Sequence, residues 1–436
     1  MEMRNYIFRG IAAAVAVFTL QVALNAQRTG VREEVLDSRE LGCGLDRVYD
    51  FSAVDQAGKI KGYEPFYVSH YGRHGSRYAY SPNTYKNLLD MLVEAEAQDN
   101  ITAYGKELKT RLSALYEKVR YRVGDLTDRG WEQQKKMAAG MVTDYPSAFG
   151  KGSEVTACAS SSIRSIMSMT SFCTELSRRA PKSEIIAHQG LEYIQFTAPN
   201  MGKNPFRYKG PESVFPYSES PLEFMQRRFP EYRNMLGRMF VNPEKAVGDR
   251  DLFWTIDYIY MLAAGMNSLD EGVQADLSDI FTPEEFAAMW EVDNYMRFEE
   301  YYKYRTSCSS IIDDIVDKAD ARIASGSEGA DLRFGHDHCL LTLFMIGDID
   351  HFGHFPANAD DLVYWFQTFR SPMAGNLQFV FYRPKRRGSS KDILVKVLLN
   401  GQIATVGDIS PDDKGIYRWS DVRAFLKART ASFTIK

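Results

Sequence analysis

The sequence predicts an α/β protein in which a sheet flanked by helices is interrupted by a mainly helical insertion. Three observations carry that expectation. Three apolar runs, rich in β-branched and aromatic residues, each end in a polar turn that opens a helical pattern. Residues 178–303 read as helix after helix with one short strand among them. The chain has 436 residues, 44% hydrophobic and 25% charged, the composition of a globular protein long enough for two domains. The expected division is an α/β domain over 27–177 and 304–436, with the helical insertion domain over 178–303.

Residues 1–26 read as a secretory signal peptide rather than as part of the fold. Arg4 and Arg9 precede an apolar run over 11–24, and Ala26 is a small residue at a suitable cleavage point before Gln27. The protein is therefore expected to be exported, periplasmic or extracellular, with no membrane insertion after the signal is removed. No later apolar run is long enough to span a bilayer. The five cysteines are widely spaced, show no zinc-knuckle pattern and leave at least one thiol unpaired within a chain; one bridge is allowed.

The first strand covers 66–71, where aromatic and β-branched residues suit a buried position, and Gly72 and Gly75 interrupt it where the backbone must turn. It delivers His74, flanked by Arg73 and Arg77, to its carboxyl end. A helix is expected from about Asn83, with Leu88, Met91, Leu92 and Ala95 at helical spacing, then another with Leu108, Leu112, Leu115 and Val119. After the turn at 124–127, Thr127 is placed to cap a helix over 131–141.

The second strand, 155–159, runs through three serines into Ile163 and Arg164 at a helix start. In open α/β sheets ligands gather beyond the carboxyl ends of the strands, so Arg164 is expected beside Arg73 and Arg77. The insertion holds a short strand at 185–187 and helices over 221–228, around Leu252, Ile256, Ile259 and Tyr260, and from Thr282-Pro283-Glu284-Glu285, which combines an N-cap, a first-turn proline and a capping-box glutamate. The third strand, 331–334, hands Gly335-His336-Asp337 to an apolar helix over 340–346. Strands follow at 379–383 and 393–399, with a basic stretch at 383–387 read as a solvated loop. Asn400-Gly401 forms a hairpin turn into a strand over 402–406.

Three strand ends are thus expected to bring together three guanidinium groups (Arg73, Arg77, Arg164), two imidazoles (His74, His336) and the carboxylate of Asp337. Guanidinium forks match phosphate oxygens and stabilise a transferring phosphoryl group. A neutral histidine can take that group onto a ring nitrogen, and a carboxylic acid can protonate the departing oxygen. Net charge −4 and an isoelectric point near 6.1 argue against a general nucleic-acid surface, so the basic site is local.

In these residues the sequence resembles the histidine acid phosphatases, the branch of the phosphoglycerate-mutase-like superfamily that includes phytases and multiple inositol polyphosphate phosphatases. Arg73-His74-Gly75-Ser76-Arg77 matches the family's Arg-His-Gly-x-Arg, and Gly335-His336-Asp337 its Gly-His-Asp. Leu126-Thr127 with Gly130, Gln133 and Gln134, the Arg164 and Ser168 segment, and 281–286 are similar to further family segments. The resemblance implies a phosphoglycerate-mutase-like sheet, His74 as covalent nucleophile, Asp337 as proton donor, and Arg73, Arg77, Arg164 and His336 as phosphate clamp, with no metal or other cofactor. Ala79 replaces the usual proline, and His338-Cys339 stands where phytases have Thr-Asn.

The expected activity is hydrolysis of small-molecule phosphomonoesters, inositol polyphosphates such as phytate among them, by an exported monomer with no nucleic-acid partner. Asp337 must start protonated, so an acidic optimum is expected. Lys203, Arg207 and Lys209 are candidates for added substrate-binding charge. The alternatives are a broad-specificity acid phosphatase, a metal-dependent hydrolase using His336, Asp337, His338, His351 and His354, a phosphomutase, and a non-enzymatic surface-binding protein.

Overall fold

The computed structural model describes residues 30–54, 60–201, 213–385 and 392–432. The signal segment 1–26 and the candidates Lys203, Arg207 and Lys209 lie outside the described residues. In chain order the strands are β1 Tyr63–Arg73, β2 Glu154–Ala159, β3 Glu184–Gln189, β4 Gly329–Gly335, β5 Asn376–Pro384, β6 Leu394–Leu399, β7 Gln402–Ile403 and β8 Ile416–Arg418. They form one sheet ordered β3-β2-β4-β1-β5-β6-β7, with β8 also paired to β6. The longer helices are α1 Asn83–Ala97, α2 Ala103–Val119, α3 Asp128–Asp144, α4 Ile163–Arg179, α5 Leu252–Gly265, α6 Pro283–Tyr304, α7 Ser309–Ser325, α8 Asp337–Gly347 and α9 Trp419–Ala431.

β1, β4 and β2 run parallel, while β5 and β6 are antiparallel. From Phe66 to its end β1 is wholly buried, as is all of β4. Helices cover both faces of these strands, which accounts for their continuous rather than alternating apolar character. Their register fixes the function-bearing ends: Arg73 stands opposite Gly335, and Phe334 opposite Ala159. The residues that follow, His74, His336 and Ser160, therefore emerge in one row at the carboxyl edge.

Local chemistry explains most boundaries. Thr127 accepts a hydrogen bond from the Gly130 amide at 3.1 Å and starts α3, and Thr282 with Glu285 forms a reciprocal capping box at the head of α6. Asn400 and Gly401 both have positive φ, 52° and 79°, as a two-residue hairpin requires. The strand expected over 402–406 pairs only across Gln402–Ile403. Beyond it, Thr405 and Gly407 bond to Asp350 and Asp348 of the turn after α8, so their backbone groups are satisfied away from β6.

The short strand expected near 185–187 is β3, which extends the main sheet as a parallel neighbour of β2 although it lies within 178–303. The apolar interior is continuous across that segment. One cluster takes in Met289 and Trp290 of α6, Leu340 and Phe344 of α8, and Phe379 and Phe381 of β5. Burying each such side chain contributes about 1.5–3 kcal/mol, which fixes α6 firmly against α8 and β5. All five cysteines are free thiols. Among the described residues no helix is long and apolar enough to cross a membrane.

Candidate active site

The loop after β1 is held from several sides. Arg73 is 1% exposed, and its Nη1 donates to the backbone oxygens of Leu45 and Ser371 at 2.5 and 2.6 Å, which fixes the guanidinium plane. The Gly75 amide donates to Ser168 Oγ at 3.0 Å, the Ser76 amide to Gln133 Oε1 at 2.8 Å, and Gln134 Nε2 to the Arg73 oxygen at 3.3 Å. These partners give a physical role to the segments around Gly130, Gln133, Gln134 and Ser168. The first turn of α3 lies directly on the loop: a Cβ on Gly130 would meet Ser76 O at 2.1 Å, and one on Gly75 would meet Gly130 O at 2.5 Å. Backbone, not a flexible side chain, blocks both positions. Gly130→Ala is therefore expected to lose about 1–3 kcal/mol of stability in urea denaturation, with phosphate binding weakened alongside.

His74 is buried, and its Nδ1 lies 2.9 Å from the Gly75 oxygen. A carbonyl only accepts, so Nδ1 carries the proton and Nε2 keeps its lone pair. Burial, followed by the charges of Arg164, Arg73 and Arg77, holds this histidine well below its ordinary pKa. It is neutral, with a free nitrogen.

Arg164, in the first turn of α4, and Arg77 complete the cationic side. Their Nε atoms are buried without a hydrogen-bond partner, as is Ser76 Oγ. Burial, with Arg77 close by, lowers Arg164 to about 10. Unspent guanidinium donors among like charges are the donor set an oxyanion of two or more oxygens satisfies. Arg164 Nη2 donates to His336 Nδ1 at 3.3 Å, so that ring's proton sits on Nε2, 2.8 Å from Ser160 Oγ. His336 is thereby an orienting partner of Arg164 in this arrangement, its ring 5.6 Å from that of His74.

Asp337 is the first residue of α8. Its Oδ1 lies 3.6 Å from Arg73 Nε, and its Oδ2 accepts from the Tyr301 hydroxyl at 2.9 Å. Burial alone would raise its pKa, but the opposing charges, Arg73 foremost, hold it well below the ordinary carboxylate range. A carboxyl held so low is ionised, against the expectation that Asp337 starts protonated.

Arg73, His74, Arg77, Arg164 and Asp337 line one cavity of about 280 Å³. His351 and His354 do not line it, and His354 stacks on Trp365. Several lining residues escaped the sequence reading. Tyr301, near the end of α6, is one of 25 tyrosines and no local pattern separates it from core tyrosines. His338 stacks on His336 at 5.2 Å, and burial lowers it to about 4. The sequence marks it as a departure from the motif that Asp337 belongs to; its stacking against His336 is what the sequence does not show. Asp46, Tyr80, Asp293, Arg297 and Glu300 form the rest of the polar wall. Among the described residues no group of three or more His, Cys, Asp or Glu is arranged to hold a metal ion.

Tyr301 donates to the ionised form of Asp337 and so stabilises it. Tyr301→Phe is expected to raise the Asp337 pKa by about half to one unit. The titration of Asp337 in the two proteins, followed by NMR of its carboxyl carbon, checks this.

No family model matches the sequence, and no curated protein matches it. Solved structures do. The multiple inositol polyphosphate phosphatase of Bifidobacterium longum, in complex with phosphate, superposes with a TM-score of 0.72 at 15% identity, over 90% of this chain and 98% of that one. The fold is that of the histidine phosphatases. The same Bifidobacterium protein in complex with inositol hexasulfate gives 0.71 at 15% identity, over 89% and 97% of the two chains. The phytase from D. castellii gives 0.63 at 14% identity, covering 91% and 86%. A histidine-phosphatase sheet thus underlies the expected α/β class, and the strand ends that carry Arg73, Arg164 and Asp337 are part of it.

Proposed function

We propose that this protein is an exported histidine acid phosphatase that hydrolyses phosphomonoesters, inositol phosphates in particular, through a phosphohistidine at His74. The observation that carries the proposal is the state of His74: neutral, with Nε2 unprotonated, among three arginines and facing the cavity that holds Asp337. The structural neighbours, a multiple inositol polyphosphate phosphatase and a phytase, support the substrate class.

In the first step the Nε2 lone pair forms a bond to phosphorus while the bond from phosphorus to the leaving oxygen breaks, and Asp337 delivers a proton to that oxygen. Arg73, Arg77 and Arg164 take the charge on the three remaining oxygens. In the second step Asp337, now ionised, accepts a proton from water as water displaces His74 from phosphorus. Because Arg73 holds Asp337 in its ionised form, the proton of the first step enters with the substrate. Monoesters carry one below their second pKa of about 6, and the bound phosphate offsets the arginines that hold Asp337 down. An acidic optimum follows on these grounds.

The test is inorganic phosphate release from phytate, inositol monophosphate and p-nitrophenyl phosphate across pH 3 to 8, without added metal and with chelator present. Release that falls away above about pH 6 is expected. A protein inert on every ester, or active only with an added divalent cation, contradicts the proposal.

A further inference from the structure

The wall of the cavity beyond the phosphate clamp bears on which phosphate esters fit. Resting on the phosphatase reading above, we propose that Glu300, Asp293 and Asp46 select inositol phosphates with few phosphates, whose leaving group is an uncharged polyol, over inositol hexakisphosphate.

The cavity contains four guanidinium groups, of Arg73, Arg77, Arg164 and Arg297, and four carboxylates, of Asp46, Asp293, Glu300 and Asp337. The first three arginines and Asp337 belong to the scissile phosphate. That leaves three acids and Arg297 for the leaving group. α6 spaces Asp293, Arg297 and Glu300 four and three residues apart, on one helix face. Arg297 Nε bonds to Asp293 Oδ1 at 3.1 Å, and its Nη1 lies 3.6 Å from Glu300 Oε2. Asp257 of α5, fully buried with neither oxygen hydrogen-bonded, is raised by burial to about 7 and carries little charge at acidic pH, so the ion partners of Arg297 are Asp293 and Glu300. Arg297 is therefore already compensated by its own neighbours.

A second phosphate placed against this wall meets carboxylates and, among the described residues that line it, no spare cation, in a site partly shielded from solvent. A ring hydroxyl at the same place donates to those carboxylates. The exposed Tyr80 side chain, which also lines the cavity, supplies apolar ring surface for the polyol carbons. Discrimination arises from repulsion at the leaving-group end, while affinity for the single scissile phosphate stays with the arginines.

The experiment compares kcat/KM for inositol monophosphate and inositol hexakisphosphate in the full chain, in Glu300→Gln and in Asp46→Asn. The Glu300 side chain is 52% exposed, so its replacement leaves packing intact. Wild type is expected to favour the monophosphate, and each substitution to lower the monophosphate-to-hexakisphosphate ratio roughly three- to tenfold. A wild-type preference for the hexakisphosphate, or a ratio that neither substitution moves, overturns the inference while leaving the phosphatase reading intact. Absence of phosphate release from both esters overturns that reading itself, and this inference with it.

Discussion

His74→Ala is expected to lower kcat by about 10⁴-fold or more on every ester, with no recovery when pH or substrate concentration is changed. The size follows from the role of the ring. On the proposed mechanism His74 Nε2 is the atom to which phosphorus becomes bonded, and its neighbours cannot replace it: His336 Nδ1 is engaged by Arg164, and its other nitrogen faces Ser160. Removing the ring leaves the arginine clamp in place, since Arg73 is fixed by Leu45 and Ser371 rather than by His74. Phosphate binding, measured by calorimetry, should therefore survive within about tenfold while turnover disappears. Loss of both together would mean that His74 supports the site instead of reacting in it. Circular dichroism and thermal melting of the variant separate that outcome from unfolding.

Asp337→Asn carries the second large effect, and it depends on the leaving group. An alkoxide is a poor leaving group and needs its proton in the transition state, so alkyl and inositol phosphates should lose about 10²–10⁴ in kcat/KM. A nitrophenolate leaves without help. For p-nitrophenyl phosphate the first step should be nearly intact, while hydrolysis of the phosphohistidine, which uses the same carboxylate as base, becomes slow. Rapid mixing should then show a burst of nitrophenol, one equivalent per chain, before a slow steady state. Equal losses on both ester types, with no burst, would show that Asp337 acts only through its ion contact with Arg73. The variant should also bind inorganic phosphate more tightly, because it removes a negative charge from the cavity.

Much of this site is legible in the sequence because it lies at strand ends, where the signals are local. A buried strand, a glycine or serine turn and a helix start at 72–77, 160–164 and 335–337 are enough to place Arg73, His74, Arg164 and Asp337 at one edge. Helix caps at Thr127 and Thr282 were readable for the same reason: each is made by residues three apart. Tyr301 and the Asp293, Arg297 and Glu300 face were not. They reach the site because α6 packs across the strand ends, a long-range contact that helical periodicity does not encode. The charge state of Asp337 was misjudged for a related reason. Proton donation suggests a protonated acid, whereas the fixed guanidinium of Arg73 holds this carboxyl well below the ordinary carboxylate range. The shortened strand after Gly401 shows the reverse limit, where a favourable local pattern gave way to partners at Asp348 and Asp350.

The central claim, a covalent phosphohistidine on His74, is tested most directly by quenching wild-type turnover and mapping the phosphorylated residue by mass spectrometry. The expected result is one phosphoryl group per chain, stable in base and lost in acid, on the His74 peptide, and absent from His74→Ala. An active enzyme that yields no phosphoenzyme under these conditions, or one phosphorylated elsewhere, would contradict the account.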